Sequence, residues 1–274
     1  MRLLIFGPGY TASRLVARLQ TRGWRIATVT RETFTDRTRI VFEIARATHI
    51  LSSVPPDDAA DPVLAACGAE IAASSAWLGY LSSTGVYGDT GGAWADESAP
   101  LAGRRGPRLI ADAAWSKLPN ARIFRLPGIY GPGRSALDRV AAGNAIRVAV
   151  PGQVFSRVHV DDIVAGVIAG FDGPPGAYNL ADDFPAPQSD VLAYAAGLLG
   201  VAPVPEVALE SANLTPQARA FYAENRRVAN GKAKRLLGWR LLYPDYRLGL
   251  RALSASTSPA ITSTAPAPAS NDQR

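Results

Sequence analysis

The chain opens on RLLIFGPGYTA (residues 2–12), where a short apolar run stops at a glycine turn and a helical pattern begins at once. This junction limits the fold more than any other stretch. The run 2–6 reads as a buried strand. Ala12, Leu15, Val16 and Leu19 then fall on one helical face, and Gly23 ends that helix. A strand joined to a helix by so tight a turn is the first half of a βαβ unit, and parallel strands need such crossovers.

The pattern continues. Strands are expected at 25–30, 39–44 (RIVFEI), 49–54 (HILSSV), 77–83 and 121–126, with helices at 62–75 and 107–117. Near-continuous apolar strands between helices argue an α/β fold, a doubly wound parallel sheet covered on both faces. The second half is less regular. Helices fit 135–142, 161–171, 187–199, 216–226 and 231–237, with short strands at 154–160 and 177–181. From about Ser254 the chain turns to Ser, Thr, Ala and Pro without an apolar period, the composition of a disordered tail.

Composition excludes several function classes. The net charge of +6 rests almost wholly on scattered arginines, because only Lys117, Lys232 and Lys234 are lysines. With no basic run, no nucleic-acid partner is expected, only a weak attraction for phosphate-bearing ligands. The one cysteine, Cys67, excludes an intrachain disulfide, and two histidines leave no zinc cluster. The opening apolar run is too short for a signal peptide, and no stretch approaches a membrane span. A cytoplasmic protein without a metal or membrane contact is the expectation.

GPGYTA (7–12) is either a plain βα turn or, as its setting between strand and helix favours, a site for a dinucleotide. Gly7 permits the turn, Gly9 lets a pyrophosphate approach bare backbone, and Ala12 lets helix and strand pack closely. The helix N-terminus then offers free N–H groups to the phosphates. Thr30 and Arg31 stand at the end of the second strand, where a carboxylate would select NAD. Arg31 can pair a 2′-phosphate, so NADP is expected, with NAD as the alternative; otherwise Arg31 is a solvated neighbour of Glu32.

Six segments occur together in one order: GPGYTAS (7–13), YLSSTGVYGD (80–89), RLPGIYGPGR (125–134), RVHVDDIVAG (157–166), YNLADD (178–183) and LGWRLLYPDYRLGL (237–250). In them the chain resembles the extended, atypical short-chain dehydrogenases/reductases, in the NAD-dependent epimerase/dehydratase branch. The resemblance implies a Rossmann-type sheet with a smaller C-terminal substrate-binding part. Residues 1–150 would be mainly the dinucleotide-binding domain. Residues 151–253 would be mainly the substrate-binding part, interleaved with the Rossmann core, and 254–274 the tail. It implies cofactor contacts at Gly7, Gly9, Tyr10, Thr11, Ala12, Arg31, Ser53, Val54, Ser82, Arg108, Pro127 and Ile129. Ser83, with Thr84 beside it, would hold the substrate oxygen. HVDD (159–162) matches a largely structural stretch, so His159 is expected to pack rather than to act as a base. A homodimer, common among relatives, has no signal of its own in the chain.

The family's Tyr-x-x-x-Lys pair is missing. No tyrosine here has a lysine four residues on, and the expected place reads GRRGPRLIAD (103–112). The alignment puts Arg104 at the tyrosine and Arg108 at the lysine, or Arg105 if the register slips by one. Arginine cannot shuttle a proton near neutrality. Arg108 can still bond ribose hydroxyls, and Arg104 can polarise a carbonyl. Tyr87 is the substitute phenol, unless it packs or bonds backbone. Tyr130 is a second, weaker candidate for that phenol and reads first as a wall of the substrate cleft, and Arg134 and Arg157 either bind a substrate phosphate or carboxylate or are solvated or salt-bridged. Asp57-Asp58 and Asp182-Asp183 read as turn residues, while Trp239 and Tyr243–Tyr246 are expected to clamp the C-terminal segment. The expected function is an NAD(P)-dependent oxidoreductase, epimerase-like, acting on a small hydroxylated, carbonyl or sugar-derived substrate. The alternative is an NADP-binding regulatory or assembly protein with little turnover.

Overall fold

The computed structural model describes residues 1–58 and 60–257. The first half runs β1 (Arg2–Phe6), α1 (Tyr10–Gln20), β2 (Arg25–Val29), α2 (Arg37–Arg46), β3 (His49–Ser52), α3 (Pro62–Ala73), β4 (Trp77–Ser83), a 3-10 turn (Thr84–Tyr87), β5 (Trp94–Ala95), α4 (Gly106–Ser116) and β6 (Ala121–Leu126). The second half runs β7 (Gly128–Tyr130), α5 (Ala136–Ala141), β8 (Arg147–Ala149), β9 (Arg157–His159), α6 (Val160–Ala169), β10 (Gly176–Asn179), α7 (Gln188–Leu199), β11 (Glu206–Ala208), α8 (Pro216–Phe221), β12 (Arg227–Val228), α9 (Gly231–Leu237) and α10 (Tyr246–Thr257).

Six parallel strands form the central sheet in the order β10-β6-β4-β3-β1-β2. Alternation along β1 divides the core. Leu3 and Ile5 pack with Leu15 and Leu19 of α1 and Val164 of α6. Leu4 and Phe6 pack on the other face with Ile40 of α2, Cys67 of α3 and Trp115 of α4. Helices cover both faces of the sheet, and its inner strands β1, β3 and β6 are buried almost throughout, as apolar strands require. The sixth strand, β10, comes from the second half, so the two halves interleave. A separate cluster joins Leu137 of α5, Leu192 of α7 and Leu250 of α10 beyond the C-terminal edge of the strands.

RIVFEI, expected as a strand, is helix α2 instead. Two parallel neighbours at 39–44 and 49–54 would need a crossover of about a dozen residues, and four are present. Asp36 caps the helix through Arg39 N, and Ile40 and Ile44, one turn apart, face the core. The expected helix over 216–226 stops at Phe221, and the chain after it runs extended so that β12 pairs with β5. The expected strand 154–160 shrinks to β9, because His159 already caps α6. Helix α10 continues through Thr257, past the expected start of the tail at 254, and the rest of that expectation (258–274) lies outside the described residues.

The C-terminal segment is fastened to α6 by one carboxylate. Asp162 is fully buried and accepts Leu242 N at 2.6 Å and Tyr243 N at 3.1 Å, while its own carbonyl accepts Trp239 Nε1 at 3.0 Å. Asp162→Ala leaves two backbone donors without an acceptor. It is expected to lower stability by about 2–4 kcal/mol, read from urea unfolding.

Candidate functional site

Strand order reverses beside β1, where β2 leaves on one side and β3 on the other, and ligands of open α/β sheets bind in the crevice at such a point. Two glycines border it for different reasons. Gly7 has φ +74°, and a Cβ there would sit 2.9 Å from Val54 Cγ2, so the fold itself requires glycine. Gly9 is the N-cap of α1 at φ −78°, and a Cβ there would approach nothing closer than Gly7 O at 4.0 Å. Neither backbone nor packing asks for glycine at position 9. The helix start carries no side-chain cap and no acidic residue, so its first N–H groups have no side-chain acceptor among the described residues. Thr11 and Ser53 line the cleft, and Ala12 is fully buried against the sheet. Tyr10 turns away, its hydroxyl donating to Pro132 O at 3.1 Å. Arg31 is exposed at the end of β2 and makes no ion pair among the described residues, while Glu32 accepts the Thr30 hydroxyl.

From this crevice a cleft of about 1300 Å³ extends over the C-terminal ends of β4 and β6 to the helices of the second half. Ser82, Ser83 and Thr84 reach it from the end of β4, and Pro127 and Ile129 form the opposite bank. Beneath the hydroxyl row lies a buried polar network. Asp112, on α4, accepts Ser82 Oγ at 2.6 Å and a two-pronged pair from Arg125 on β6, at 2.7 and 3.1 Å. Arg125 Nη1 also donates to Tyr87 Oη at 3.0 Å, and Tyr87 donates to Asn179 Oδ1 at 2.7 Å.

That network corrects the reading of Tyr87 as a substitute acid. Its ring is 1% exposed, it does not line the cleft, and its hydroxyl is bonded on both sides. Burial raises its pKa, against the pull of Arg125, which is the wrong direction for a proton shuttle. The phenols that do line the cleft, Tyr130, Tyr222 and Tyr246, are each raised by burial too.

Arg104 lines the cleft but does not stand on the helix where the alignment puts it. Pro107 fixes the start of α4, so Arg104 precedes the helix and does not stand one turn below Arg108. Its guanidinium bonds Glu224 at 2.7 Å and Ala220 O at 2.5 Å. Arg108, in the first turn of α4, and Arg105 line the cleft. So do Arg134 and Arg139, and none of these four makes an ion pair among the described residues. Arg134 lies over the Tyr10 ring at 5.6 Å.

Arg157 lines the cleft while 6% exposed; Nη2 donates to Ala186 O at 3.0 Å and Nη1 has no partner among the described residues. Tyr130 Oη points at α10, where a Cβ on Gly249 would lie 2.2 Å away, and it too has no partner among the described residues. His159 is 1% exposed and held neutral by burial, its Nδ1 accepting Asp161 N. Asp182 is 1% exposed, not a surface turn residue, and burial pushes it up to about 8 against the pull of Arg157. Asp183 does sit at the surface, with Lys234.

The sequence reading missed Asp112, Arg125, Asn179, Glu224 and Arg226. Asp112 and Arg125 left a signal. A charge inside ARIFRL, a strand buried at every residue, needs a partner, and the aspartate within α4 is the available one. Among the described residues no three His, Cys, Asp or Glu form a metal-binding group, and no helix is long and apolar enough to cross a membrane.

No family model matches the chain. A curated protein, the 3-diazoavenalumate denitrifying reductase of a Streptomyces species, is 32% identical over 155 residues, 52% of this chain and 49% of that one. The chain thus matches about half the length of that relative. A conserved protein of unknown function from Silicibacter pomeroyi superposes with a TM-score of 0.85 at 46% identity, over 93% of this chain and 98% of that one. A protein from Methylobacillus flagellatus, assigned as an NAD-dependent epimerase/dehydratase, superposes with a TM-score of 0.72 at 25% identity, over 93% and 98% of the two chains.

Two measurements check the electrostatics. Asp112→Ala leaves Arg125 charged, buried and unpaired, and is expected to cost about 3–5 kcal/mol in chemical denaturation. Asp182 holds its proton up to about pH 8 in the folded state, whereas the unfolded chain releases it near pH 4. Its contribution to stability therefore falls as pH rises through that window. Asp182→Asn keeps an acceptor for Phe184 N and does not titrate. Its melting temperature is expected to gain on that of the wild type steadily from pH 5 to pH 8.

Proposed function

The chain belongs to the NAD-dependent epimerase/dehydratase family of extended short-chain dehydrogenases/reductases, and from that membership we propose that it is an NADP-dependent oxidoreductase of small hydroxyl- or carbonyl-bearing substrates, sugar derivatives included. The observation that carries this reading is Gly9. It lacks a side chain at a position where the fold would accept one, beside an uncapped helix start. A pyrophosphate resting on those N–H groups accounts for both features. Thr11 and Ser53 would flank the phosphates, Arg31 would meet the 2′-phosphate, and Arg108 would donate to the nicotinamide ribose. A nicotinamide dinucleotide bound there supplies hydride transfer to or from a substrate carbon.

The chain's own groups do the rest. Pro127 and Ile129 form an apolar bank that excludes water, and Ser83, with Thr84, orients the substrate oxygen. Arg134 and Arg157 favour a substrate that carries a phosphate or carboxylate. The raised phenols of the cleft favour a second reading, a coenzyme-binding regulator with little turnover.

Coenzyme binding and NADPH consumption separate the two. NADP(H) at about 100 times its Kd is expected to stabilise the protein by ~2.7 kcal/mol. Gly9→Val should abolish that stabilisation without lowering the melting temperature of the free protein. Arg31→Ala should weaken NADP(H) by about tenfold and leave NAD(H) unchanged. Stabilisation without NADPH consumption across aldehydes, ketones and nucleotide sugars would favour the regulator. No stabilisation by either coenzyme would sink both readings.

A further inference from the structure

The turn after β4 holds a second donor beside Ser83. A Cβ built on Gly85 would lie 3.3 Å from Ser83 Oγ and 3.9 Å from Arg226 Nη2. Gly85 is not among the positive-φ glycines, so its backbone does not demand glycine. Its missing side chain leaves open the space that the hydroxyl and the guanidinium share, and all three residues line the cleft.

Arg226 is tied to this turn. Its Nη1 donates to Gly88 O at 2.7 Å and to Glu224 at 2.5 Å, and Gly88 closes the turn that Ser83 caps. The pairing of β12 with β5 and the bridge between Phe155 and Arg226 fix the chain on either side. Nη2 makes no hydrogen bond among the described residues. Ser83 Oγ accepts Gly85 N at 3.1 Å, which leaves its proton free to donate.

We infer that Ser83 Oγ–H and Arg226 Nη2–H form a two-donor cradle for an anionic substrate oxygen, the guanidinium supplying the positive charge that the absent Tyr-x-x-x-Lys pair does not. The inference rests on the oxidoreductase reading above. When a carbonyl is reduced, its carbon gains a hydride from the reduced coenzyme and the C=O π pair moves onto oxygen. The cradle holds that alkoxide until water protonates it. Arginine stabilises the charge without giving up a proton.

Benzoate presents an anionic oxygen without needing turnover. Titrated calorimetrically into the protein, with and without NADP⁺, it is expected to bind the wild type. R226A should weaken it by about 10- to 100-fold, and R226K should retain part of the affinity. G85A keeps every donor but places a methyl between them, and should weaken benzoate comparably. R18A, outside the cleft, should leave it unchanged. Melting temperatures identify a variant that has lost its fold, and G85A decides if R226A does. Coenzyme affinity should be unaltered in R226A and G85A. A wild type that binds no coenzyme defeats the oxidoreductase reading. Equal benzoate affinity in the wild type, R226A and G85A, or no benzoate binding by the wild type, overturns the cradle.

Discussion

The ion pair between Asp112 and Arg125 holds the ligand-facing end of the sheet in one arrangement. It joins α4 to β6 at a point where the two side chains are 0% and 5% exposed. Through Ser82 it fixes the end of β4, and through Tyr87 and Asn179 it reaches the 3-10 turn and β10. Charges so deeply buried are stable only when their hydrogen-bonding capacity is met, and here the surrounding strands meet it. The hydroxyl row stays in place because the layer below cannot shift without exposing an unpaired charge.

That network also bears on the chemistry that the family resemblance implies. The expected place holds no tyrosine, and the phenol of Tyr87 is bonded into the buried network. Pro107 starts α4 too late for Arg104 to stand on it. What faces the substrate space is a row of hydroxyls and a set of arginines, groups that orient and hold negative charge. Residues of the stretch 213–226 line the cleft, and Glu224 there pairs with both Arg104 and Arg226. Against the cost of burial, the hydrogen bonds from those two arginines keep Glu224 ionised.

The sheet was largely legible in the sequence because local rules governed it. RLLIF and ARIFRL are apolar at strand length, and the first glycine turn has a stereochemical cause in Gly7. RIVFEI misled because its residues suit a strand locally, while the short link to the next strand, a tertiary constraint, forced a helix. The site was legible only where it is contiguous. Ser83 and Thr84 could be placed from their own strand. Arg226 could not, because its position depends on β12 pairing with β5 across more than a hundred residues. Asp182 looked like half of a turn dipeptide; its burial depends on a tertiary contact, its N–H donating to Arg157 O on β9.

The contrast between Gly7 and Gly9 has a bearing on lineages. Folding alone would preserve the first, whatever the protein does. The second has no such protection, and a descendant that abandoned its coenzyme could fill that position by drift without becoming less stable. On the coenzyme-binding reading proposed above, residue 9 is therefore the place to look when asking which relatives have kept a coenzyme.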